Sequence, residues 1–400
     1  MTAKPSETRD ALKAKPVYLN LGPSHPAMHG TLRLFCELDG EIIKRAIPEF
    51  GYLHRGFEKH AETSTWTQVI PYTDRLNYVS AMMNNVGYCK AVEDLMEITI
   101  PDRAQVIRVI ICEMNRIIDH LVATGTNVVD IGALTNFWYY FNVREKFYDI
   151  IEKLCGARLT TAYTRIGGVM RDLFDGFESE MRLCLKDLHR SIEEVSGLLN
   201  RNKIFLNRSV GVGVISREDA IAHGFTGPCL RATGVAYDVR KAQPYYGYET
   251  YDWELVVAEH GDTYDRVVLR FEEMRQSARI IEQAMARLKP GPIMTEDKRV
   301  ALPPKIEVYT NIEALMNHFK LIYEGIRPPP GEIYSCTEAA NGELGFYIIS
   351  DGSGIPYRVK CRAPCFPIYQ AYPKMVEGGM ISDAVAILGG LNIVAGELDR

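Results

Sequence analysis

No stretch of this 400-residue sequence stays apolar long enough to cross a bilayer. The best candidate, Val106 to Ile111, is broken by Arg108 and followed by Glu113 and Arg116. A large charge excess is also missing. Lys and Arg number 46 against 51 Asp and Glu, a net charge of −5, which argues against the basic surface that nonspecific nucleic-acid binding needs. There are nine cysteines, but none forms a C-x-x-C, and Cys361 and Cys365 are the only close pair. The odd count and irregular spacing predict reduced thiols acting as small hydrophobes, with no metal cluster held by this chain alone. Neither G-x-x-x-x-G-K-[ST] nor G-x-G-x-x-G after a strand occurs, so nucleotide binding is not expected. The lack of G-x-S-x-G removes the α/β-hydrolase reading. Met1 to Pro16 has no apolar h-region, and its acidic Glu7 and Asp10 do not suit a transit peptide. Residues 1–15 therefore read as a disordered tail.

What is present divides into four stretches of one interlocked α+β unit spanning 16–400, with no repeat or βαβ array. Over 16–57, apolar and polar positions alternate. Val17, Leu19 and Leu21 predict one strand, Leu32 to Leu38 another, and Asp39-Gly40 a hairpin turn before Glu41 to Ala46. Over 58–203 the period becomes helical. Ala104 to Thr124 carries Ile107, Ile110, Ile111, Met114, Ile117, Ile118 and Leu121, with Pro101-Asp102 as its start and Gly125 as its stop. Phe141–Leu154 and Glu178–Leu199 predict two more helices, packed as a bundle. Residues 204–268 read as mixed, with short β patterns. Within 269–400, Asp265–Leu288 (reaching back into the previous stretch) and Asn311–Glu324 read as helices. Glu343–Ile349 and Tyr357–Cys361 read as a β-hairpin, and Ser382–Leu388 as a last short helix.

Among nine histidines, two fall in one loop, Leu21-Gly-Pro-Ser-His25-Pro-Ala-Met-His29-Gly-Thr31. An i,i+4 pair suits a metal on a helix, but Pro26 and Gly30 disfavour a regular helix, and no Glu lies between the two histidines. The ordinary alternative is a loop whose histidines bond the backbone. The third is a pocket loop in which histidine donates protons near neutral pH. Three further segments are rich in chemistry: Gly51 to Lys59, Pro71 to Tyr78, and Asn127 to Ala133, where Asp130 is the lone carboxylate. Taken singly, each has an ordinary explanation as a solvated turn, a surface ion pair or a helix cap.

Together these segments resemble the D subunit family (49-kilodalton subunit) of proton-pumping NADH:quinone oxidoreductase, respiratory complex I. The likeness runs from about Pro16 to Arg400. It rests on Gly22-Pro-Ser-His-Pro-Ala-Met-His-Gly30, Leu53-His-Arg-Gly56, Pro71-Tyr-Thr-Asp-Arg-Leu-Asn-Tyr78, Asp130-Ile-Gly-Ala133, Arg165-Ile-Gly-Gly168, Glu273-Met-Arg-Gln-Ser277, Ser350-Asp-Gly-Ser353 and Gly396-Glu-Leu-Asp-Arg400. The family is related to the large subunit of nickel–iron hydrogenases, which implies that fold: a central long-helix bundle, a small N-terminal antiparallel sheet and a C-terminal β-hairpin region. Hydrogenases hold nickel through two cysteine pairs. Here Asn77 and Ser80 stand where the first pair would be, and the chain ends at Arg400 where the second would begin. No soft thiolate set remains for nickel.

The resemblance implies a quinone, ubiquinone or menaquinone, as substrate in the old metal cleft. His29 and Tyr78 would hydrogen-bond its two carbonyls, and Asp130 would lie behind His29. His25 is a neighbour in the loop, and Arg55 would sit near the terminal iron–sulfur cluster of the B subunit. Donors at each carbonyl stabilise the charge that develops on reduction, and a carboxylate behind an imidazole favours its charged form. The implied partners are the B, C, H, A and I subunits, on the cytoplasmic side of a bacterial inner membrane. A ferredoxin-dependent photosynthetic-type H subunit and a noncatalytic scaffold are the alternatives.

Overall fold

The computed structural model describes residues 16–400; the tail expected over 1–15 lies outside the described residues. Three antiparallel strands open the chain: Val17–Leu21, Arg33–Asp39 and Ile42–Glu49, in sequential order. Their alternation places Leu34, Cys36 and Leu38 inward. The sheet does not stand alone. Its inner face joins one hydrophobic cluster with Ile368, Tyr372, Ile387, Leu388 and Leu391 from the C-terminal quarter.

The Asp102–Asp130 helix is the axis of the molecule. It packs against the helices Ala81–Met96, Leu134–Cys155, Thr263–Ala286 and Ile381–Leu391. It runs through Gly125, where the sequence suggested a stop. Gly125 faces the rings of Phe137 and Phe141 on the next helix, so its lack of a side chain serves packing there. The helix ends instead at Asp130, before Gly132 at φ 103°. Its apolar stripe was legible, yet its other face is buried as well. Arg108, Glu113, Arg116 and His120 are all fully buried.

That face meets a network of paired charges. Arg108 forks onto Glu93 at 2.6 and 2.7 Å and donates to the Tyr246 hydroxyl at 2.6 Å. Glu113 accepts from Arg240, Arg116, Ser277 and Tyr248. His120 Nε2 lies 2.8 Å from Glu273, which also accepts from Arg231 at 2.8 Å. Arg231 continues to Glu338 at 2.8 Å.

Several expectations change. Residues 204–268 contain short helices and irregular backbone but no strand, because Gly and Tyr positions there pack against the helices and pair with no neighbouring strand. The C-terminal hairpin is a three-stranded antiparallel sheet, since Gly331–Ala339 pairs along all of Gly342–Ser350 before Arg358–Arg362 adds on the other side. The Pro328-Pro329-Pro330 run before that first strand masked it. The helix at Ile381–Leu391 is not the last; Ala395–Asp399 follows it. The helix Ile312–Tyr323 forms as expected but buries no residue, leaving Ile312, Phe319 and Ile322 exposed.

Candidate functional site

The loop between the first two strands is shaped by its own residues. Gly22 takes φ 89°, and a Cβ there would lie 2.3 Å from the Leu32 carbonyl oxygen, so only glycine fits. His25 caps a single 3-10 turn, Pro26–Met28, its Nδ1 accepting from the Ala27 N–H at 3.2 Å. The ordinary reading, a histidine bonding the backbone, thus describes His25. His29 closes the turn at φ 56°, in the left-handed region. Met28 between them is fully buried and anchors the loop in the cluster that contains Leu391.

Tyr78 opens the 3-10 turn Tyr78–Ser80 that leads into the Ala81–Met96 helix. Asn77 caps that turn, its side-chain oxygen accepting from Val79 N–H at 3.2 Å. The half-buried Tyr78 ring packs on the same cluster as Met28. Asp130 reaches this region by another route. The Ile381–Leu391 helix touches the His25–His29 turn and also crosses the end of the axial helix. At that crossing a Cβ on Gly389 would stand 3.2 Å from Asp130 Oδ2. The loop and the end of the axial helix at Asp130 thus meet one C-terminal helix, and Tyr78 packs on the hydrophobic cluster to which that helix contributes.

Among the described residues, the side chains of His29, Tyr78 and Asp130 make no hydrogen bond to protein, and none joins His29 to Asp130. Burial alone lowers the His29 pKa and alone pushes Asp130 up to about 6. Both groups lean toward their neutral forms. The charged pair expected of a carboxylate behind an imidazole is not formed here, because no contact offsets the desolvation. Burial also raises the Tyr78 hydroxyl, Cys365 and Asp119 add to this, and Arg55 opposes it.

Arg55 is fixed by carbonyls. Its Nη2 donates to Arg75 O at 2.7 Å and Gly396 O at 2.8 Å. Beside it opens a surface cavity of about 390 Å³ lined by His54, Glu58, Phe366, Asp399 and Arg400, among others, and by none of His29, Tyr78 or Asp130.

The sequence did not reveal a buried polar cluster behind Tyr78. Asp119 Oδ2 accepts from Asn77 Nδ2 at 2.9 Å and Ser80 Oγ at 3.0 Å, and its Oδ1 from Asn392 Nδ2 at 2.7 Å. Asn341 lies 2.6 Å from Asn392 and donates to Cys365 Sγ at 3.4 Å. Cys365 in turn donates to Glu397 Oε2 at 3.3 Å. The signal was faint: Asp119 and His120 interrupt an apolar stripe, and Glu397 sits in the C-terminal motif. Among the described residues, no group of three or more His, Cys, Asp or Glu is placed to hold a metal ion, and no helix is long and apolar enough to cross a membrane.

Fold and site define an α+β protein built on one buried axial helix, with a buried polar cluster of Asn77, Ser80, Asp119 and Asn392 behind Tyr78. The profile of the family described as respiratory-chain NADH dehydrogenase, 49 Kd subunit, matches residues 130–400. The C/D subunit of the NADH-quinone oxidoreductase of Bdellovibrio bacteriovorus is 55% identical over 99% of this chain and 71% of its own length. The D subunit of the Myxococcus xanthus NADH-quinone oxidoreductase is 50% identical over 100% of this chain and 96% of its own. Its counterpart in Methylacidiphilum infernorum is 52% identical over 96% and 91%. The chain belongs to the family of the 49-kilodalton subunit of respiratory-chain NADH dehydrogenase, an oxidoreductase complex.

Proposed function

We propose that this chain forms the quinone headgroup site in the peripheral arm of a proton-pumping NADH:quinone oxidoreductase, and that it donates protons when quinone is reduced. The observation that carries this reading is that the loop before His29 and the helix end at Asp130 meet one C-terminal helix, that Tyr78 packs on the cluster this helix shares, and that among the described residues none of the three side chains has a hydrogen-bond partner. Quinone reduction consumes two electrons and two protons. Tyr78, whose hydroxyl stays protonated at neutral pH, donates to one carbonyl oxygen. His29 donates to the other, and Asp130, near 6, holds an exchangeable proton behind it. Proton loss there changes the charge next to a loop held by a single turn, which starts the conformational signal toward the membrane pumps.

The electrons come from a cluster held by the neighbouring B subunit, which docks on the Arg55 side. The headgroup cavity is completed by that neighbour, in keeping with the absence of the three site residues from the cavity beside Arg55. Contacts with the C, H, A and I subunits place the chain on the cytoplasmic side of the inner membrane. The arrangement fits a nickel–iron hydrogenase large-subunit ancestry in which Asn77 and Ser80, bonded to Asp119, replaced thiolates.

The test is NADH:quinone reductase activity of the assembled complex carrying Tyr78→Phe or Asp130→Asn. Tyr78→Phe is expected to lower kcat about 100-fold or more, the usual effect of losing a donor to developing oxyanion charge. Asp130→Asn is expected to lower it about tenfold or more and to remove a pH dependence near 6. Full activity in either variant would sink the assignment.

A further inference from the structure

Glu397 lies in the Ala395–Asp399 helix and is 1% exposed. Among the described residues its Oε1 is buried with no hydrogen-bond partner, and its Oε2 accepts from the Cys365 thiol at 3.3 Å, with Asn341 and the Cys365 backbone close by. Among the described residues no lysine or arginine pairs with it, in contrast to Glu93, Glu113 and Glu273. Yet it sits directly behind the quinone side of the fold. The preceding residue, Gly396, is pressed onto the Tyr78 segment, where a Cβ would fall 2.6 Å from the carbonyl oxygens of Arg75 and Leu76 and 3.1 Å from Tyr78 Cδ1. Gly396 O also holds Arg55. The titratable groups around Glu397 are Asp119 from the axial helix and Cys361 and Cys365 from the C-terminal sheet and the helix after it, with Tyr78 and Arg55 beyond Gly396. Burying a carboxylate without a counter-charge is costly, so the site favours the neutral acid.

We propose that Glu397 is the proton store for the Tyr78 side of the site. The proposal rests on the reading of Tyr78 as a quinone donor. When Tyr78 gives its O–H proton to the reduced quinone oxygen, a phenolate remains. The Cys365 S–H, which rests on Glu397 Oε2, turns toward that oxygen and passes its proton as the sulfur takes one from the Glu397 carboxyl. This leaves a Glu397 carboxylate, which water refills. No electron moves in this chain; the complex's oxidation of NADH provides both. Cys365 bonds the store directly, 3.3 Å from Glu397 Oε2.

The experiment uses the assembled complex with Glu397→Gln, which keeps size and hydrogen bonding but carries no acidic proton. Assembly is checked by NADH oxidation with a soluble acceptor that takes electrons upstream of quinone. Burial, the largest influence, lifts Glu397 to about 7, so wild-type kcat should fall as pH rises through that value. The expected result for Glu397→Gln is a kcat lowered about tenfold with unchanged KM for quinone, loss of that alkaline limb, and partial recovery in Glu397→Asp. Infrared difference spectra on quinone reduction should show a carboxylic-acid carbonyl band lost in wild type and missing in Glu397→Gln. A wild-type rate and pH profile, a change confined to KM, or a band that persists in Glu397→Gln overturns the proposal. If Glu397→Gln does not assemble, Glu397→Asp decides: a shifted alkaline limb supports the store, and an unchanged one overturns it. If Tyr78→Phe proves fully active, the quinone-site reading itself fails; if it is inactive while Glu397→Gln matches wild type, only the store fails.

Discussion

Two buried polar regions lie along the same axial helix and handle charge in opposite ways. In the middle, Glu113 is surrounded by cations. Burial works against its charge, but Arg116 and Arg240 outweigh that and hold its carboxyl down at about 2. Glu273 is held low in the same way, by Arg231 and His120. Toward the site, among the described residues, Asp130 and Glu397 have no cationic partner and Asp74 has only the solvent-facing Arg75 at 3.7 Å, so burial lifts Asp74, Asp130 and Glu397 to about 6, 6 and 7. Paired acids give fixed charges and a rigid frame. Unpaired acids keep protons that leave near neutral pH, which a proton-coupled reaction needs. The difference comes from neighbours and not from residue type, since Glu appears in both regions.

The comparison breaks most severely at the paired end. Replacing Glu273 by Gln leaves the fully buried Arg231 without one of its carboxylates and His120 without its partner. An uncompensated charge of this kind costs about 3–5 kcal/mol, so thermal unfolding of the assembled protein should shift strongly downward. A near-neutral result would mean that the remaining partners, Glu338 and Asp238, suffice.

A smaller and pH-dependent effect is expected at the unpaired end. Asp74 ordinarily ionises near 3.8 and is lifted to about 6, burial being the main cause. Its contribution to stability is therefore complete below 3.8 and fades as pH climbs toward 6. Glu113 has the opposite sign: its contribution is complete above its ordinary 4.5 and fades as pH falls toward 2. Asp74→Asn keeps an oxygen to accept from Ala162 N–H. It should stabilise the protein above pH 6, by on the order of 1–3 kcal/mol, and do little near pH 4. Denaturant titrations at the two pH values check this. Equal effects at both would mean that Asp74 is charged throughout.

The smallest effect is expected in the loop. His25→Ala removes the cap of the Pro26–Met28 turn, at about 1 kcal/mol, and His25→Asn should restore most of it. If Asn fails while quinone reduction is also lost, His25 does more than cap.

Much of this was readable from residues alone. Alternation around Asp39-Gly40 located the first sheet, and the apolar stripe located the axial helix, because each period matches one backbone geometry. The motifs around His29, Tyr78 and Asp130 marked the segments proposed for the site. The stop at Gly125 and the strands of 204–268 were misread, since a glycine that opens space for Phe137 and Phe141 has the same letter as one that ends a helix.

Residue order alone set the helical and strand periods, the free thiols, the family and the candidate site segments. Which acids are paired was settled by packing in three dimensions. Glu113 and Arg240 are distant in sequence, and so are Asp119 and Asn392. Whether a carboxyl keeps its proton depends on such long-range neighbours and on water removed by packing, neither of which a linear pattern carries.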